Sequence, residues 1–428
     1  MIVKDGGGKS ISLNSLLLFI LVVCDLYFLY PGNIAYFMIC FFLLFFYLYN
    51  DLQQTKYAHV AKLVILVALI FLISISVIAS GVYFRRNNYE ISFTHDGLIQ
   101  TEVAIQYIID GKNPYTENFF NTPMARLPYS QMATDYGATF VNPALYHIIY
   151  LPYYLFFSIP FYLLSNLMLG WYDQRFVHII IYLLSAVVIY CLPNAKSKKL
   201  FYLVFFAFNP LFLINFTGGN NDIFVFFWIL LALFFMKKEK VELSSLSLGL
   251  AVVSKHFAWP LVPFYFIYFF LQQKKLPIML NIKLLVNRTK LFWLPIIVFI
   301  VPFLVWDANS FIDDIFKYAN GTSAISYPIN GAGISTFLLL TGIIDSATDY
   351  FPFWMLQGIV CLPLFYFLVK KQSENNNLSQ VIFNYGLLLF AFIFFSRFFH
   401  WNYIGYLSLV FTTAYFFDDQ KKIDENIC

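Results

Sequence analysis

Two carboxylates in one polar segment of the chain are placed to do acid–base chemistry. The segment THDGLIQTEVAIQYIIDGKNPY carries Asp96 and Glu102 directly after an apolar run. A carboxylate beside apolar helices can be tuned to accept a proton, so Asp96 is a candidate general base and Glu102 a secondary one. Asp96 also precedes a helical pattern that ends near Gly111, which suits a plain helix cap equally well. Asp110 is expected to serve the end of that helix.

A second motif, TGGNND, separates two apolar runs. Its two glycines predict a tight turn, and Asn221 or Asp222 could cap the helix that follows. The functional interpretation is that Asn220, Asn221 and Asp222 line a polar pocket.

Lys255 stands within continuous apolar sequence that begins near Lys240. About 15 residues of helix would carry it about 22 Å along the helix axis. An ionisable residue at that depth usually faces a cavity or a partner, which favours the binding of an anionic headgroup by Lys255, with His256 beside it. A lysine whose ammonium snorkels to the interface is the alternative. Pro260 predicts a helix break close by.

The late motif SRFFHWNY brings together a cation, an imidazole and aromatic rings. Arg397 and His400 lie one turn apart, and the guanidinium fork suits phosphate oxygens. We interpret Arg397 as a phosphate contact, with His400, Asn402 and Tyr403 as substrate-binding candidates. The aromatic residues could instead form an interfacial belt. Adjacent Asp313 and Asp314 suggest a metal site only weakly, and a solvated loop is favoured there.

The elements that must position these residues are membrane helices. Of 428 residues, 60% are hydrophobic and 12% charged, and the mean hydropathy is +0.71. Soluble domains contain about 25% charged residues, so the composition indicates an all-α polytopic membrane protein. The small net charge of +4 and the short lysine clusters argue against nucleic acid as a partner. No cysteine pair has metal-ligand spacing, so neither a disulfide framework nor a metal site is expected from Cys24, Cys40, Cys191, Cys361 and Cys428.

The basic residues predict the orientation of the chain. The positive-inside rule places the basic clusters in the cytoplasm together with the N-terminus. These clusters are Lys4/Lys9, Lys196/Lys198/Lys199, Lys237/Lys238/Lys240, Lys274–Lys290, Lys370/Lys371 and Lys421/Lys422. Counting crossings then makes the run at 143–164 a re-entrant or interfacial helix, and 334–344 is too short to span. About twelve crossings remain.

This orientation puts four polar regions on the outer face. They are the large loop at 84–142, the turn at 217–222, the loop at 306–333 and the turn at 396–402. We divide the chain into two additional spans with a cytoplasmic tail at 1–62, a membrane module at 63–417 and a cytoplasmic tail at 418–428. The expected location is the cell membrane, or the endoplasmic reticulum membrane in a eukaryote, with the outer loops extracytoplasmic.

Six motifs in order resemble the GT-C class of membrane glycosyltransferases, most closely its polyprenol-phosphate-mannose-dependent mannosyltransferase-like branch. An early outer-loop aspartate is followed by a GxxPY element, a proline-led apolar run, a GxND turn, a GLAxxxK…P element and an RFxHxNY-like turn. In this chain they correspond to Asp96, Gly111–Tyr115, Asn142–Leu145, Gly219–Asp222, Gly249–Pro260 and Arg397–Tyr403. Where the branch has tyrosine-proline-proline this chain has Val-Asn-Pro, and two additional spans precede the loop.

The resemblance implies transfer of a hexose, mannose in that branch, from a polyprenyl-phosphate-linked donor to a glycan or glycolipid acceptor at the outer face. The absence of a Walker motif and of a Rossmann fingerprint agrees with a lipid-linked donor rather than a nucleotide sugar. No metal or other cofactor is required by this scheme. A transporter or lipid flippase, with broken helices and a buried Lys255, is the competing class. A lipid-linked polysaccharide polymerase is the third.

Overall fold

The computed structural model describes residues 11–29, 33–53, 56–88, 94–127, 129–132, 139–273 and 276–417. The predictions that concern Lys4, Lys9, Lys274, Lys421, Lys422 and Cys428 lie outside these residues. Within the described part the protein is almost entirely helical, with two very short two-stranded sheets.

The N-terminal third contains a shorter helix, then two membrane-length helices, and then the polar segment that includes α5. Its helices are α1 (Leu13–Leu29), α2 (Ile34–Gln53), α3 (Ala58–Leu69), α4 (Ser76–Asn88) and α5 (Asp96–Ile109). A π-helical turn at Ile70–Ile75 joins α3 to α4 in one long helix. The antiparallel strands β1 (Ser130–Met132) and β2 (Thr139–Val141) lie between 3-10 turns at Pro123–Arg126 and Pro143–Leu145.

The central third is a bundle of apolar helices in short succession. They are α6 (Pro152–Leu169), α7 (Arg175–Cys191), α8 (Lys196–Ala207), α9 (Pro210–Thr217), α10 (Asp222–Lys237), α11 (Val241–Val252), α12 (Leu261–Gln272) and α13 (Ile278–Arg288). Prolines open α6 and α9, where a missing backbone N–H costs nothing. The chain breaks between α11 and α12, with a 3-10 turn at His256–Ala258.

The C-terminal third begins with a long helix that changes pitch along its length. A 3-10 turn at Lys290–Phe292 leads into α14 (Trp293–Pro295), a π segment at Ile296–Ile300, α15 (Val301–Ile312), a second π segment at Asp313–Lys317 and α16 (Tyr318–Asn320). The remaining elements are β3 (Asn330–Gly331), α17 (Ile334–Leu340), α18 (Phe353–Glu374), α19 (Leu378–Phe394), β4 (Phe398–Phe399) and α20 (Trp401–Phe416). Strands β3 and β4 pair in parallel.

Large apolar side chains cover much of the surface, which fits a lipid-facing bundle. Leu167 is 84% exposed and Val305 81%. Contiguous exposed apolar surface of this extent would be unfavourable in water. Five helices of the described part are long and apolar enough to cross a bilayer, or six if the bent pair α8–α9 counts as one span. The protein therefore has the make-up of a polytopic membrane protein.

Several predictions about individual elements can now be compared with the fold. The helix predicted from Asp96 to near Gly111 is confirmed as α5, and Asp110 is its C-terminal cap. The segment 334–344 is confirmed as too short to span. The run predicted to be a partial span contains α6, which has 18 residues and is itself long enough to cross. The predicted loop at 306–333 is wrong in its first half, because helix continues to Asn320.

One glycine of the TGGNND turn couples that turn to α5. Gly219 has a φ of +101°, and a Cβ added there would lie 2.3 Å from Leu98 Cδ1. Both the backbone conformation and the close approach therefore require glycine.

We expect Gly219→Ala to lower the free energy of unfolding by about 1–3 kcal/mol, because it adds backbone strain and a steric clash with α5. Thermal unfolding in detergent, followed by tryptophan fluorescence, measures the effect. Gly358→Ala is the matched control, since its added Cβ meets no atom within 4 Å and lies inside α18. An unchanged melting temperature for Gly219→Ala would contradict the proposed coupling.

Candidate functional site

The beginning of α5 is held against the TGGNND turn. The His95 amide donates a hydrogen bond of 2.8 Å to the Gly218 carbonyl. The Gly97 amide donates both to His95 Nδ1, at 3.0 Å, and to Asp96 Oδ1, at 2.7 Å. His95 is thus the N-cap, and the prediction that Asp96 caps the helix is off by one residue. The Asp96 side chain remains 37% exposed, so it is accessible to a ligand.

A buried polar link joins three separate motifs. The Lys255 ammonium donates to Asp222 Oδ1 and, at 2.8 Å, to Asn221 Oδ1. Asn402 Nδ2 donates to the second oxygen of Asp222 at 2.7 Å. The link therefore joins the start of α10, the break after α11 and the first turn of α20. Asn221 is the N-cap residue of α10, as one of the two alternatives predicted, but its side chain makes no capping bond and accepts from Lys255 instead.

His400 lies between this link and the start of α5. Burial lowers the pKa of His400 to about 4, and the charges of His95 and Lys255 lower it while those of Asp96 and Asp222 raise it. At neutral pH the imidazole is therefore uncharged. It can donate one hydrogen bond and accept another without adding charge to the site.

Aromatic rings form the wall around His400. Its ring centroid lies 5.5 Å from those of Tyr327 and Tyr403, and Tyr403 in turn meets Phe257 edge-on at 5.0 Å. The site therefore combines aromatic rings with a neutral imidazole beside the buried polar link.

Tyr150 belongs to this site, although no motif in the sequence predicted its involvement. A Cβ added at Gly97 would lie 1.6 Å from the Tyr150 hydroxyl oxygen, which places that hydroxyl against the first turn of α5. The Tyr115 hydroxyl donates to the Tyr150 carbonyl at 2.7 Å. Tyr115 ends the GKNPY element, so this element fixes the backbone that carries Tyr150. One tyrosine among 31 has no local pattern that marks it.

A second polar cluster contains His147. The ring of Tyr318 stacks on the His147 ring, with 4.8 Å between the ring centroids. His147 Nδ1 is 2.7 Å from Asp314 Oδ1, and the Ile148 amide donates to the other oxygen of Asp314 at 3.0 Å. Asp313 completes a group whose ligand atoms all lie within 4.8 Å of one another, so these residues could hold a metal ion. The prediction of a solvated loop is wrong for Asp314, which is buried.

The Arg397 side chain forms hydrogen bonds with the protein's own backbone. It is buried, and its guanidinium donates to the carbonyls of Tyr327, Asp349 (2.7 Å) and Ala347 (3.0 Å). A Cβ added at Gly321 would meet its Nη1 at 2.6 Å, so the surrounding loop is packed closely against it. This geometry argues against the predicted phosphate contact and assigns Arg397 to holding the segments around Tyr327 and Ala347–Asp349 together.

Glu102 likewise takes part in hydrogen bonds and ion pairs within the protein. Its two oxygens accept from Arg85 at 2.8 and 2.6 Å, and the Gln174 amide donates to it at 2.9 Å. Arg85 also pairs with Asp173 at 2.9 Å, and Asp173 pairs with Arg175. This network ties α4, α5 and the start of α7. With both of its oxygens bonded in this network, Glu102 is poorly placed to act as the predicted secondary base.

The two remaining predicted residues flank the site. The Asn220 amide closes the TGGNND turn on the Asn215 carbonyl at 3.2 Å, and its side chain is half-buried. The His256 ring packs on Trp259 at 4.6 Å, and its Nε2 is buried with no hydrogen-bond partner among the described residues. Burial lowers the pKa of His256 to about 4, with the Lys255 charge contributing.

Comparison with known proteins adds no assignment. A scan against protein-family models gives no match, and a search of the curated proteins finds no similar sequence.

We expect Arg397→Ala to destabilise the protein by about 2–4 kcal/mol, because three backbone carbonyls, one of them in the buried residue Ala347, would lose their donor. Thermal unfolding in detergent measures the loss, with the exposed Arg126→Ala as control. A variant with the wild-type melting temperature and weakened binding of a lipid-phosphate donor would instead restore the phosphate role of Arg397.

His400 gives a pH dependence of stability with a defined sign. An unfolded histidine takes up a proton near pH 6.5, whereas the folded His400 does so near pH 4. Between these values the unfolded state binds more protons, so stability falls as the pH falls from 6.5 to 4, by up to about 1.4 kcal/mol per pH unit. His256 acts in the same direction. His400→Gln should flatten the melting temperature against pH, and slopes parallel to wild type would contradict the assignment.

Proposed function

We propose that this chain is a membrane glycosyltransferase. It moves a hexose, with mannose suggested by the motif resemblance, from a polyprenyl-phosphate-linked donor to a lipid-linked or cell-envelope glycan acceptor. The observation that supports this most is the convergence of Asp96, the Lys255–Asp222 link and His400 at one end of the helical bundle.

The direction of the helices supports an outer location for this end. Helix α10 begins at Asp222 and ends at Lys237, which separates these residues by about 22 Å. Helix α8, followed by α9, starts at Lys196 and leads to Gly218. The lysine-rich ends thus lie away from the site, and the positive-inside rule assigns them to the cytoplasm. About twelve crossings with both termini inside remain part of this proposal.

An outer site determines the kind of donor. Nucleotide sugars are cytosolic, so a site on the outer face needs a sugar that has already crossed the membrane on a lipid carrier. A polyprenyl phosphate meets this need because its chain stays in the bilayer while its headgroup reaches the outer ends of the helices.

The reaction we propose is a direct displacement with Asp96 as general base. Asp96 accepts the proton of the acceptor hydroxyl, whose oxygen attacks the anomeric carbon of the donor sugar. The bond between that carbon and the phosphate oxygen breaks, and its electron pair leaves with the polyprenyl phosphate. A single displacement inverts the anomeric centre. Asp96 is the best candidate because its carboxylate is accessible and lies at the N-terminus of α5.

The other site residues take binding and positioning roles. Lys255 donates to Asn221 and Asp222, and the third N–H of its ammonium remains for the phosphate, whose growing charge it stabilises. Asp222 and Asn402 fix the position of Lys255. His400 and Tyr403 contact the sugar or the acceptor, as do Asn220 and His256 at the edges of the site. Arg397 and Glu102 support the surrounding loops and take no part in transfer.

The central prediction concerns Asp96. Asp96→Asn removes the base while keeping shape and hydrogen bonding, so we expect transfer to fall by at least about 100-fold, in line with the usual contribution of general base catalysis. The assay supplies a panel of polyprenyl-phosphate sugars to membranes that contain the protein and measures the glycosylated acceptor. Asp110→Asn is the matched control at the other end of α5 and should keep full activity.

Three outcomes would count against the proposal. Turnover by Asp96→Asn at the wild-type rate would remove Asp96 as base. Transfer from none of the donors by wild-type protein would remove the transferase. Movement of the lipid-linked sugar across proteoliposomes without transfer would favour the flippase alternative.

A further inference from the structure

The end of the bundle opposite the candidate site holds a cavity of about 520 Å³. This volume lies within the range of pockets that bind small ligands or headgroups. The cavity is formed where the ends of α8, α10, α11, α12, α13, α19 and α20 meet. Its position does not depend on the chemistry proposed for the outer site.

The charged side chains of the cavity lining are mostly basic, and Asn194 and Gln272 add neutral polar groups. Lys198, Lys237 and Arg288 contribute cations, and Glu239 is the one acidic side chain of the lining. Lys237 donates to the Leu192 carbonyl and to Asn194 Oδ1. Among the described residues, no carboxylate oxygen lies within 4.0 Å of the Lys198 ammonium or of the Arg288 guanidinium. These two cations are therefore available to an anion.

The rest of the lining is apolar and aromatic. Tyr268, Phe269, Phe416 and Phe417 line the cavity beside the basic side chains, and the Arg288 guanidinium lies 5.9 Å from the centre of the Phe269 ring. A ligand that fits must therefore combine negative charge with an apolar portion. A phospholipid combines a phosphate headgroup with acyl chains at this depth of a bilayer. Basic pockets between helices on the cytoplasmic side are known to bind such headgroups.

We propose that this cavity binds the headgroup of an anionic phospholipid in the cytoplasmic leaflet. The Lys198 and Arg288 side chains contact the lipid phosphates, with Lys237 at the same wall. The apolar side chains contact the glycerol and the upper acyl chains. The bound lipid joins seven helix ends, so it stabilises the bundle.

The test measures the melting temperature of the purified full-length protein in detergent with added cardiolipin, phosphatidylglycerol or phosphatidylcholine. We expect the two anionic lipids to raise the melting temperature by several degrees and phosphatidylcholine to have little effect. The double variant Lys198→Gln/Arg288→Gln should need about ten times more anionic lipid for the same shift. Lys283→Gln/Lys290→Gln is the matched control, since it removes the same charge from exposed positions nearby.

A variant that is expected to strengthen lipid binding separates a loss of binding from a folding defect. Glu239→Gln removes the acidic side chain from the cavity and should tighten binding of the anionic lipids. Equal losses in the two double variants would show only general surface attraction and overturn the proposal. An equal shift with millimolar inorganic phosphate would assign the cavity to a free anion and overturn the lipid assignment. The absence of any preference for anionic lipid over phosphatidylcholine would do the same.

Discussion

The buried pair Lys255–Asp222 is the interaction on which the architecture of the site depends. Asp222 is 3% and Lys255 19% exposed at the side chain, so neither charge is well solvated. Removing either partner would leave a buried charge without compensation, which is far costlier than the pair itself is stabilising. Because both oxygens of Asp222 are used, by Lys255 and by Asn402, the pair also sets the relative positions of α10, the α11–α12 break and α20.

The same constraint explains why polar chemistry is confined to the ends of the helices. Backbone and side-chain polar groups exposed to lipid are costly, so the bundle presents apolar residues along its length. Around the candidate site, buried networks satisfy the charged groups: Glu102 with Arg85, Asp314 with His147, and Arg397 with three carbonyls. Asp96 differs, because its carboxylate is bound only locally and stays accessible. That contrast supports its role in the proposed reaction.

The sequence predicted an all-helical membrane protein and the extent of α5, because composition and helix-end signals do not depend on tertiary packing. It also identified the motifs that meet at the site, including Asp222, Lys255 and His400. It misassigned Arg397 and Glu102, because a charged side chain has the same local pattern whether it binds a ligand or a carbonyl. Arg85 lies 17 residues from Glu102, and Asp314 lies 167 from His147. Partnerships at such separations are set by tertiary packing, and no local spacing records them.

The orientation of the chain in the membrane is the central claim. A site on the outer face requires a lipid-linked donor, and the same orientation places the basic cavity on the cytoplasmic side. Single cysteines at Lys112 and at Lys240, two exposed lysines at opposite ends of the bundle, test it most directly. The five native cysteines are first replaced, and intact cells are then treated with a membrane-impermeant maleimide. The account predicts labelling at position 112 in intact cells and at position 240 only after the membrane is permeabilised. Labelling of position 240 from outside, with position 112 protected, would contradict it.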